Sequence, residues 1–298
     1  MKGHLEQLFP GLRNLELPFS RDQLMLLMVG INEIFLGIDI YLAHKISGTI
    51  VPREWIPIIF GPIAGVLILG AGLIARRRRN AALVIANLVF TLSIAVGLLG
   101  AYYHFVRAIL PTGPPGARVT VPLLIWAPPV VGPLVFSLVG LLGISAVWRE
   151  EPTDSGRLRI WQGKHLALPY SKTSAYYFMV SLGTLATLLS SVLDHARTDF
   201  SNPWLWLPVT AGVLGVITPA VIGFQQEPRR GDLLLHLLAM LFLILVGAVG
   251  AGLHISDNLT SGGEIIPERF IRGAPFLAPL LFSNMGLLGL ITMLDPRE

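Results

Sequence analysis

APPVVGPLVFSLVGLLG, residues 127–143, recurs near the other end of the chain as GAPFLAPLLFSNMGLLG, residues 273–289, with nine of 17 positions identical. Each copy has two prolines four positions apart near its start. This pattern is typical of a helix entry, where the amide donor that proline lacks is missed least. The rest of each copy is apolar and predicts one helix. A match of this length at such a distance indicates an internal duplication.

Residues that recur 150 or 151 positions apart extend the duplication over most of the chain. They comprise a Trp-x-Pro motif, a glycine and two histidines: Trp55-x-Pro57 with Trp206-x-Pro208, Gly97 with Gly247, His44 with His195, and His104 with His254. All four histidines fall in the last turn of a long apolar segment. The two copies can therefore be compared residue by residue.

The composition is that of a membrane protein. Hydrophobic residues make up 53% of the 298-residue chain and charged residues only 13%, whereas soluble domains contain about 25% charged residues. A helix needs about 20 apolar residues to cross the hydrocarbon core, and lipid requires every backbone group to be bonded internally. Eight stretches qualify as transmembrane helices: 23–45, 56–75, 81–106, 121–148, 173–195, 204–224, 232–254 and 274–294.

The duplication assigns four of these spans to each copy. We expect an all-α integral membrane protein with eight transmembrane helices in two tandem, parallel four-helix repeats, related by pseudo-twofold symmetry along the membrane normal. The expected organisation is an N-terminal segment 1–22, a first repeat 23–148, a linker 149–172 and a second repeat 173–298. Small residues let helices approach closely in lipid, and those expected between the two repeats are Gly37, Gly65, Gly70, Gly72, Gly212, Gly215 and Gly223.

The basic residues predict the orientation of the chain. If both termini and the linker are cytoplasmic, 15 of the 22 Lys and Arg residues lie on that side, including the run Arg76–Arg79, as the positive-inside rule requires. We therefore predict a multi-pass protein of the bacterial inner membrane. The net charge of +4 then reflects topology and does not indicate nucleic-acid binding. A short interfacial helix is expected around Leu5, Leu8 and Phe9.

The four recurring histidines are the first candidate site. In an up-down-up-down bundle, the first and third helices lie diagonally across the core, which would bring His44 to the depth of His104, and His195 to that of His254, near the outer face. Such pairs suit ligation of a haem b iron or of another metal ion by His44 and His104, or the binding of a quinone. Tyr103 could then bond a quinone carbonyl. The alternative is that these residues only mark interfacial helix ends and were copied without function.

Two carboxyl groups inside the first span are the second candidate site. Glu33 lies 11 residues before His44, about 16 Å deeper on the same helical face, and Asp39 lies on an adjacent stripe. Intramembrane carboxyl groups typically handle protons or ions, so these two are the predicted catalytic residues. The second copy has Thr184 and Ser190 at their positions, which predicts that the first repeat carries the site. The alternative is a protonated carboxyl group that only bonds a neighbouring helix.

The fifth span instead has a face of hydroxyl groups at Thr184, Thr187 and Ser191. They are expected either to bond another helix or to bond the preceding carbonyl groups of their own helix. The chain has no cysteine, which excludes disulfides, iron–sulfur ligation and thiolate catalysis.

Three functions remain open. The first is a membrane subunit of a redox complex that exchanges electrons and protons with quinone near the outer face. Two four-helix bundles are similar, in span count and arrangement alone, to the quinone-interacting membrane subunits of the polysulfide reductase type. That resemblance implies partner subunits, or a periplasmic electron-transfer protein docking on loops 107–120 and 255–272. The second is a small transporter or channel that uses the intramembrane carboxyl groups, and the third is a membrane anchor without chemistry.

Overall fold

The computed structural model of the protein describes residues 3–14, 17–46, 48, 50–75, 77–109, 120–126, 129–160, 163–260 and 265–296. Within these residues, six helices are long and apolar enough to cross a membrane, which confirms a helical membrane protein. The helices are α1 (His4–Leu8), α2 (Arg21–Ile46), α3 (Trp55–Ile74), α4 (Arg79–Ile109), α5 (Val121–Trp126), α6 (Val131–Val147), α7 (Lys172–Ala196), α8 (Trp206–Phe224), α9 (Arg230–Thr260), α10 (Pro267–Arg272) and α11 (Leu280–Thr292).

The fourth and eighth predicted spans are not continuous helices of the expected length. The fourth is divided between α5 and α6, and α11 begins only at Leu280. α6 has 17 residues and α11 has 13, so they are about 25 and 20 Å long, against a hydrocarbon core of roughly 30 Å. The recurring prolines explain the late starts: Pro133 lies in the first turn of α6, and Pro279 is the N-cap residue of α11.

Each half of the chain forms a four-helix bundle with the same cyclic packing order. In the first bundle, α2 packs on α3, α3 on α4, α4 on α6, and α6 on α2; in the second, α7, α8, α9 and α11 follow the same order. The first and third helices of each bundle are therefore diagonal, as predicted. Between the bundles, α6 packs on α7 and α2 packs on α11.

The recurring serine explains why the matched stretches are so similar. Ser137 Oγ of α6 donates a hydrogen bond to the Ile94 carbonyl of α4 at 3.0 Å, and Ser283 Oγ of α11 donates to the Ile244 carbonyl of α9 at 2.8 Å. A Cβ atom on Gly97 would overlap the first serine, and the equivalent Gly247 is crowded by the second in the same way. The same close helix contact is thus made in both bundles.

The prediction that small residues separate the two repeats is wrong for the glycines that were singled out. Gly37 packs against Pro62, and Gly215 packs against Thr184 and Leu243, in each case within one bundle. A Cβ atom added to Gly70 or Gly72 would meet no neighbouring atom within 4 Å among the described residues. Close approach is needed mainly inside each bundle, where four helices share one core.

The linker contains a small antiparallel sheet that the sequence pattern did not predict. Its strands are β1 (Arg149–Glu150), β2 (Arg157–Arg159) and β3 (His165–Ala167), in the order β1-β2-β3. Strands of two or three residues are too short to show an alternating pattern. We call the end of the bundles that carries this sheet the linker end, and the end that carries His44 and His195 the histidine end.

Candidate functional site

Glu33 lies in the middle of α2 and is fully buried. Ser93, from the diagonally opposite helix α4, donates its hydroxyl hydrogen to Glu33 Oε1 at 2.5 Å, and the same hydroxyl oxygen lies 3.1 Å from the Val89 carbonyl. The other carboxyl oxygen, Oε2, has no hydrogen-bond partner among the described residues. Most buried polar atoms are bonded, so a half-bonded carboxyl group at the centre of a bundle is typical of proton or ion binding.

The packing around Glu33 keeps this level of the first bundle apolar. α3 approaches so closely that a Cβ atom on Gly61 would overlap the Glu33 carbonyl oxygen. At the same level, the rings of Phe60 and Phe136 pack 6.0 Å apart, and Phe136 is only 1% exposed. Because bulk water is excluded here, the electrostatic interactions of the carboxyl group are strong.

The second bundle has replaced both members of this pair. The position of Glu33 is taken by Thr184, whose hydroxyl donates to the Val180 carbonyl of its own helix at 2.8 Å. The position of Ser93 is taken by Leu243, which is fully buried. Thr187 likewise donates to its own helix, at the Gly183 carbonyl. These two threonines satisfy themselves locally, and the central carboxyl site belongs to the first bundle alone.

The histidine end of the first bundle brings together several polar residues. The rings of His44 and His104 lie 6.0 Å apart between centroids. Glu54 lies between two cations or potential cations, with Oε2 at 3.8 Å from His44 Nδ1 and Oε1 at 3.7 Å from Arg107 Nη1. These residues and Tyr103 line a cavity of about 50 Å³. The sequence predicted the two histidines and Tyr103 at this place, but not Glu54 or Arg107.

The second bundle repeats only part of this arrangement. His104 Nδ1 lies 2.9 Å from the Pro129 carbonyl, and His254 Nδ1 lies 3.0 Å from the Pro275 carbonyl. Each of these histidines thus ties the end of a third helix to the segment that precedes a fourth helix, which is a structural reason for the copying. His195 packs its ring against Phe200 at 6.3 Å. Leu205 and Leu253 stand where the first bundle has Glu54 and Tyr103.

The geometry does not fit the predicted cofactors. A cavity of about 50 Å³ accommodates a few water molecules, whereas ligand pockets typically measure about 300–1,000 Å³. In the described part of the chain, no group of three or more metal-ligating side chains is placed to hold a metal ion. The expectation that His44, His104, His195, His254 and Tyr103 bind haem b or quinone, or that the first two bind a metal, therefore has no structural support.

Asp39, the second predicted catalytic residue, is not brought together with Glu33. It is half-buried on α2 and interacts electrostatically with Asp194 of α7, in the other bundle. Asp194 in turn lies 3.6 Å from Arg197. Asp39 therefore belongs to the contact between the bundles near the histidine end.

A buried ion pair at the linker end was not foreseen from the sequence. Lys172, at the start of α7, is 1% exposed and pairs with Asp22, at the start of α2. The lysine also donates to the Trp148 carbonyl at 2.7 Å, and Tyr176 donates its hydroxyl hydrogen to Asp22 at 2.8 Å. Arg21 donates to Thr173 at 2.7 Å. These bonds connect the first bundle to the second.

The pair borders a second cavity. This cavity measures about 150 Å³, and Arg21, Asp22, Glu150 and Lys172 are among the residues that line it. Asp22 lies 11 residues before Glu33, as Glu33 lies 11 residues before His44. That equal spacing, which places all three on one face of α2, is the sequence signal that could have identified Asp22.

A separate polar cluster lies in the second bundle. His236 is fully buried, with Nε2 at 3.2 Å from the Gly289 carbonyl and Nδ1 at 3.3 Å from Thr218 Oγ1. Tyr177 packs edge-on against His236, with ring centroids 5.2 Å apart, and bonds His4 of α1 at 2.7 Å. Both nitrogens of His236 are within bonding distance of the protein, which is typical of a satisfied core histidine.

No protein-family model matches the chain, no curated protein is detectably similar to it, and no solved structure matches it. Its function is therefore inferred from its own residues.

Proposed function

We propose that the protein transfers protons through the first bundle, with Glu33 as the carboxyl group that takes up and releases them. The observation that carries this proposal is the state of the Glu33 side chain: it is fully buried, bonded to Ser93 at one oxygen and, among the described residues, unpaired at the other. A carboxyl group in this setting is costly in a membrane and is usually kept for function. The second bundle has lost both residues together, which further supports a shared task for the pair.

Asp22 and His44 are the proposed end points of the proton path. Each is 11 residues from Glu33, a rise of about 16 Å along α2. This distance is too long for a direct hydrogen bond, so water molecules must bridge each half of the path. The cavities of about 150 Å³ beside Asp22 and about 50 Å³ beside His44 give water access at both ends, and the apolar layer around Glu33 separates them.

His44 suits the exit or entry of a proton because imidazole can accept a proton at one nitrogen and release one from the other. Glu54, at 3.8 Å, stabilises the charged form of the ring, and Arg107 holds Glu54 in place at 3.7 Å. In the second bundle a leucine replaces Glu54. We therefore assign the working histidine to the first bundle.

We also propose that the two bundles are parallel repeats with pseudo-twofold symmetry, spanning residues 23–148 and 173–298, and that α6 and α11 with the segments before them complete eight spans. The shared packing order and the matched serine contacts support this. Both termini and the linker are assigned to the cytoplasm of a bacterium, on the strength of the basic residues. Arg76, one of those residues, lies outside the described residues.

In a redox complex, such a protein would be the proton-conducting membrane subunit, and the electron carriers would be held by partner subunits. As a transporter, it would couple the same proton path to a substrate. Of the loops proposed as a docking surface for a periplasmic protein, residues 110–119 and 261–264 lie outside the described residues. Glu33 is central in either setting, so its proton exchange is the property to test first.

The test uses the purified chain in liposomes that contain a trapped pH-sensitive dye. A potassium diffusion potential drives protons inward, and the initial rate of acidification is compared with protein-free liposomes. We expect a flux that depends on the protein and is unaffected by replacing sodium with choline. A flux that instead follows a sodium gradient would assign the site to sodium, and infrared spectra without any deuterium-sensitive carboxyl band from Glu33 would contradict proton exchange at this residue.

A further inference from the structure

A groove at the linker end of the first bundle is large, basic and open. It lies between the start of α4 and the end of α6, with the linker sheet as its third wall, and it encloses about 790 Å³. Three arginines line it, namely Arg79, Arg149 and Arg159, and no acidic side chain does so among the described residues. Its apolar floor is formed by Leu83, Val84 and Val147.

The equivalent groove of the second bundle is already filled by the N-terminal helix. Leu8 of α1 is 4% exposed and packs against Leu233 of α9 and Met293 after α11, with Leu5 beside it. The Leu5 amide donates to the Met293 carbonyl at 2.9 Å, and Arg230 donates to the Leu8 carbonyl at 3.1 Å. In the first bundle, Leu83, Val147 and Asn80 hold the positions of Leu233, Met293 and Arg230.

This comparison shows what such a groove requires of its occupant. In the second bundle, apolar side chains fill the interior, and an oxygen atom accepts a hydrogen bond from the arginine at the mouth. The first groove has the same apolar floor but three arginines around it, so its occupant must carry negative charge as well as apolar groups. Arg159 is only partly neutralised, by Glu151 at 3.6 Å and near the surface.

We propose that the groove between α4 and α6 binds an anionic phospholipid, with the phosphate at the three arginines and the acyl chains along Leu83, Val84 and Val147. The chains can leave the groove sideways, because Val84 is 43% exposed and Leu88, one turn further along α4, is 59% exposed. Trp148 lies at the same level and donates its indole hydrogen to Asn87 at 2.9 Å. A tryptophan at this depth is typical of the headgroup region, and basic pockets between membrane helices commonly hold anionic headgroups.

The experiment measures lipid retention by native mass spectrometry of the purified full chain, offered phosphatidylglycerol or phosphatidylcholine in mixed micelles. The first variant is the double substitution Arg79→Gln and Arg159→Gln. Its matched control is Arg77→Gln with Arg229→Gln, which removes the same charge from exposed arginines at the same end that do not line the groove. A second variant, Val84→Phe, fills the groove without changing the charge.

We expect the wild type and the control to retain phosphatidylglycerol in preference to phosphatidylcholine. The double variant should lose affinity by roughly 30-fold, and Val84→Phe should lose retention while keeping the thermal stability of the wild type. Equal retention of the two lipids, or equal retention by all variants, would overturn the proposal. Displacement of the lipid by inorganic phosphate would identify a site for soluble anions, and loss of a dimer in Val84→Phe would identify a second copy of the chain as the occupant; either result also overturns it.

Discussion

Replacing Glu33 by glutamine keeps the shape of the side chain and removes its exchangeable carboxyl proton. Ser93 can still donate to the remaining oxygen, and the new amide nitrogen takes the place of Oε2, which has no partner among the described residues. One hydrogen bond is kept and no volume is lost. The free energy of unfolding should therefore change by less than about 1 kcal/mol, which corresponds to a Tm shift of less than about 4 °C.

The proton flux should respond far more strongly. Removing a positioned proton-transfer group typically lowers a rate by at least about 100-fold, and no second carboxyl group at the level of Glu33 takes its place among the described residues, since the nearest on α2, Asp39, interacts with the other bundle. We expect Glu33→Gln to reduce potential-driven acidification to the rate of protein-free liposomes. The infrared band of a protonated carboxyl group that shifts in deuterated water should disappear with it.

The matched control is Thr184→Val, at the equivalent position of the second bundle. It removes one hydrogen bond within α7, so its stability should fall by about 1 kcal/mol, while its proton flux should equal that of the wild type. A Glu33→Gln protein with unchanged flux would refute the proposed path. An equal loss of flux in Thr184→Val would show that the assay reports packing damage and not proton transfer at Glu33.

Three further predictions concern the two ends of the bundles. His44→Gln should lower the proton flux at least tenfold, whereas His195→Gln should leave it unchanged, because a carboxylate partner is built in the first bundle, beside His44, where the second has a leucine; equal rates in liposome assays would contradict this assignment. Lys172→Met should cost about 3–5 kcal/mol by stranding the buried Asp22 charge, and adding Asp22→Asn should recover much of the loss in thermal melts; no recovery would show that the pair is not the cause. Burial lowers the pKa of His4 below its ordinary value of 6.5, so the unfolded chain binds a proton more readily than the folded chain. The wild type should therefore lose stability as the pH falls below about 6.5, and His4→Gln should show a flatter Tm profile between about pH 7.5 and pH 5; parallel profiles would rule out this contribution.

The sequence determined the class of the protein because lipid leaves few alternatives. A span must be apolar and about 20 residues long, and its backbone must be bonded within the helix. The long helices α2, α3, α4, α7, α8 and α9 follow from that constraint alone. The same constraint overestimated α6 and α11, because apolar composition does not reveal where proline and the chain before it delay the start of a helix.

The four histidines show how far an internal duplication can be interpreted. The spacing predicted correctly that His44 and His104 lie close together, on diagonal helices of one bundle. It could not distinguish a structural tie from a working group. His104 and His254 each bond a carbonyl group 25 or 21 residues further along the chain, and only the folded bundle brings that carbonyl within reach.

Glu33 could be singled out from the sequence because a carboxyl group within a long apolar segment is conspicuous in itself. Its partner could not: Ser93 is 60 residues away, and a serine in a membrane helix carries no signal of what it faces. The Lys172–Asp22 pair, 150 residues apart, and the packing of α1 on the second bundle were likewise decided by the tertiary structure. Local periodicity and composition report whether a segment lies in lipid or water, whereas the pairing of polar groups depends on which helices become neighbours, and that is set by packing over the whole chain.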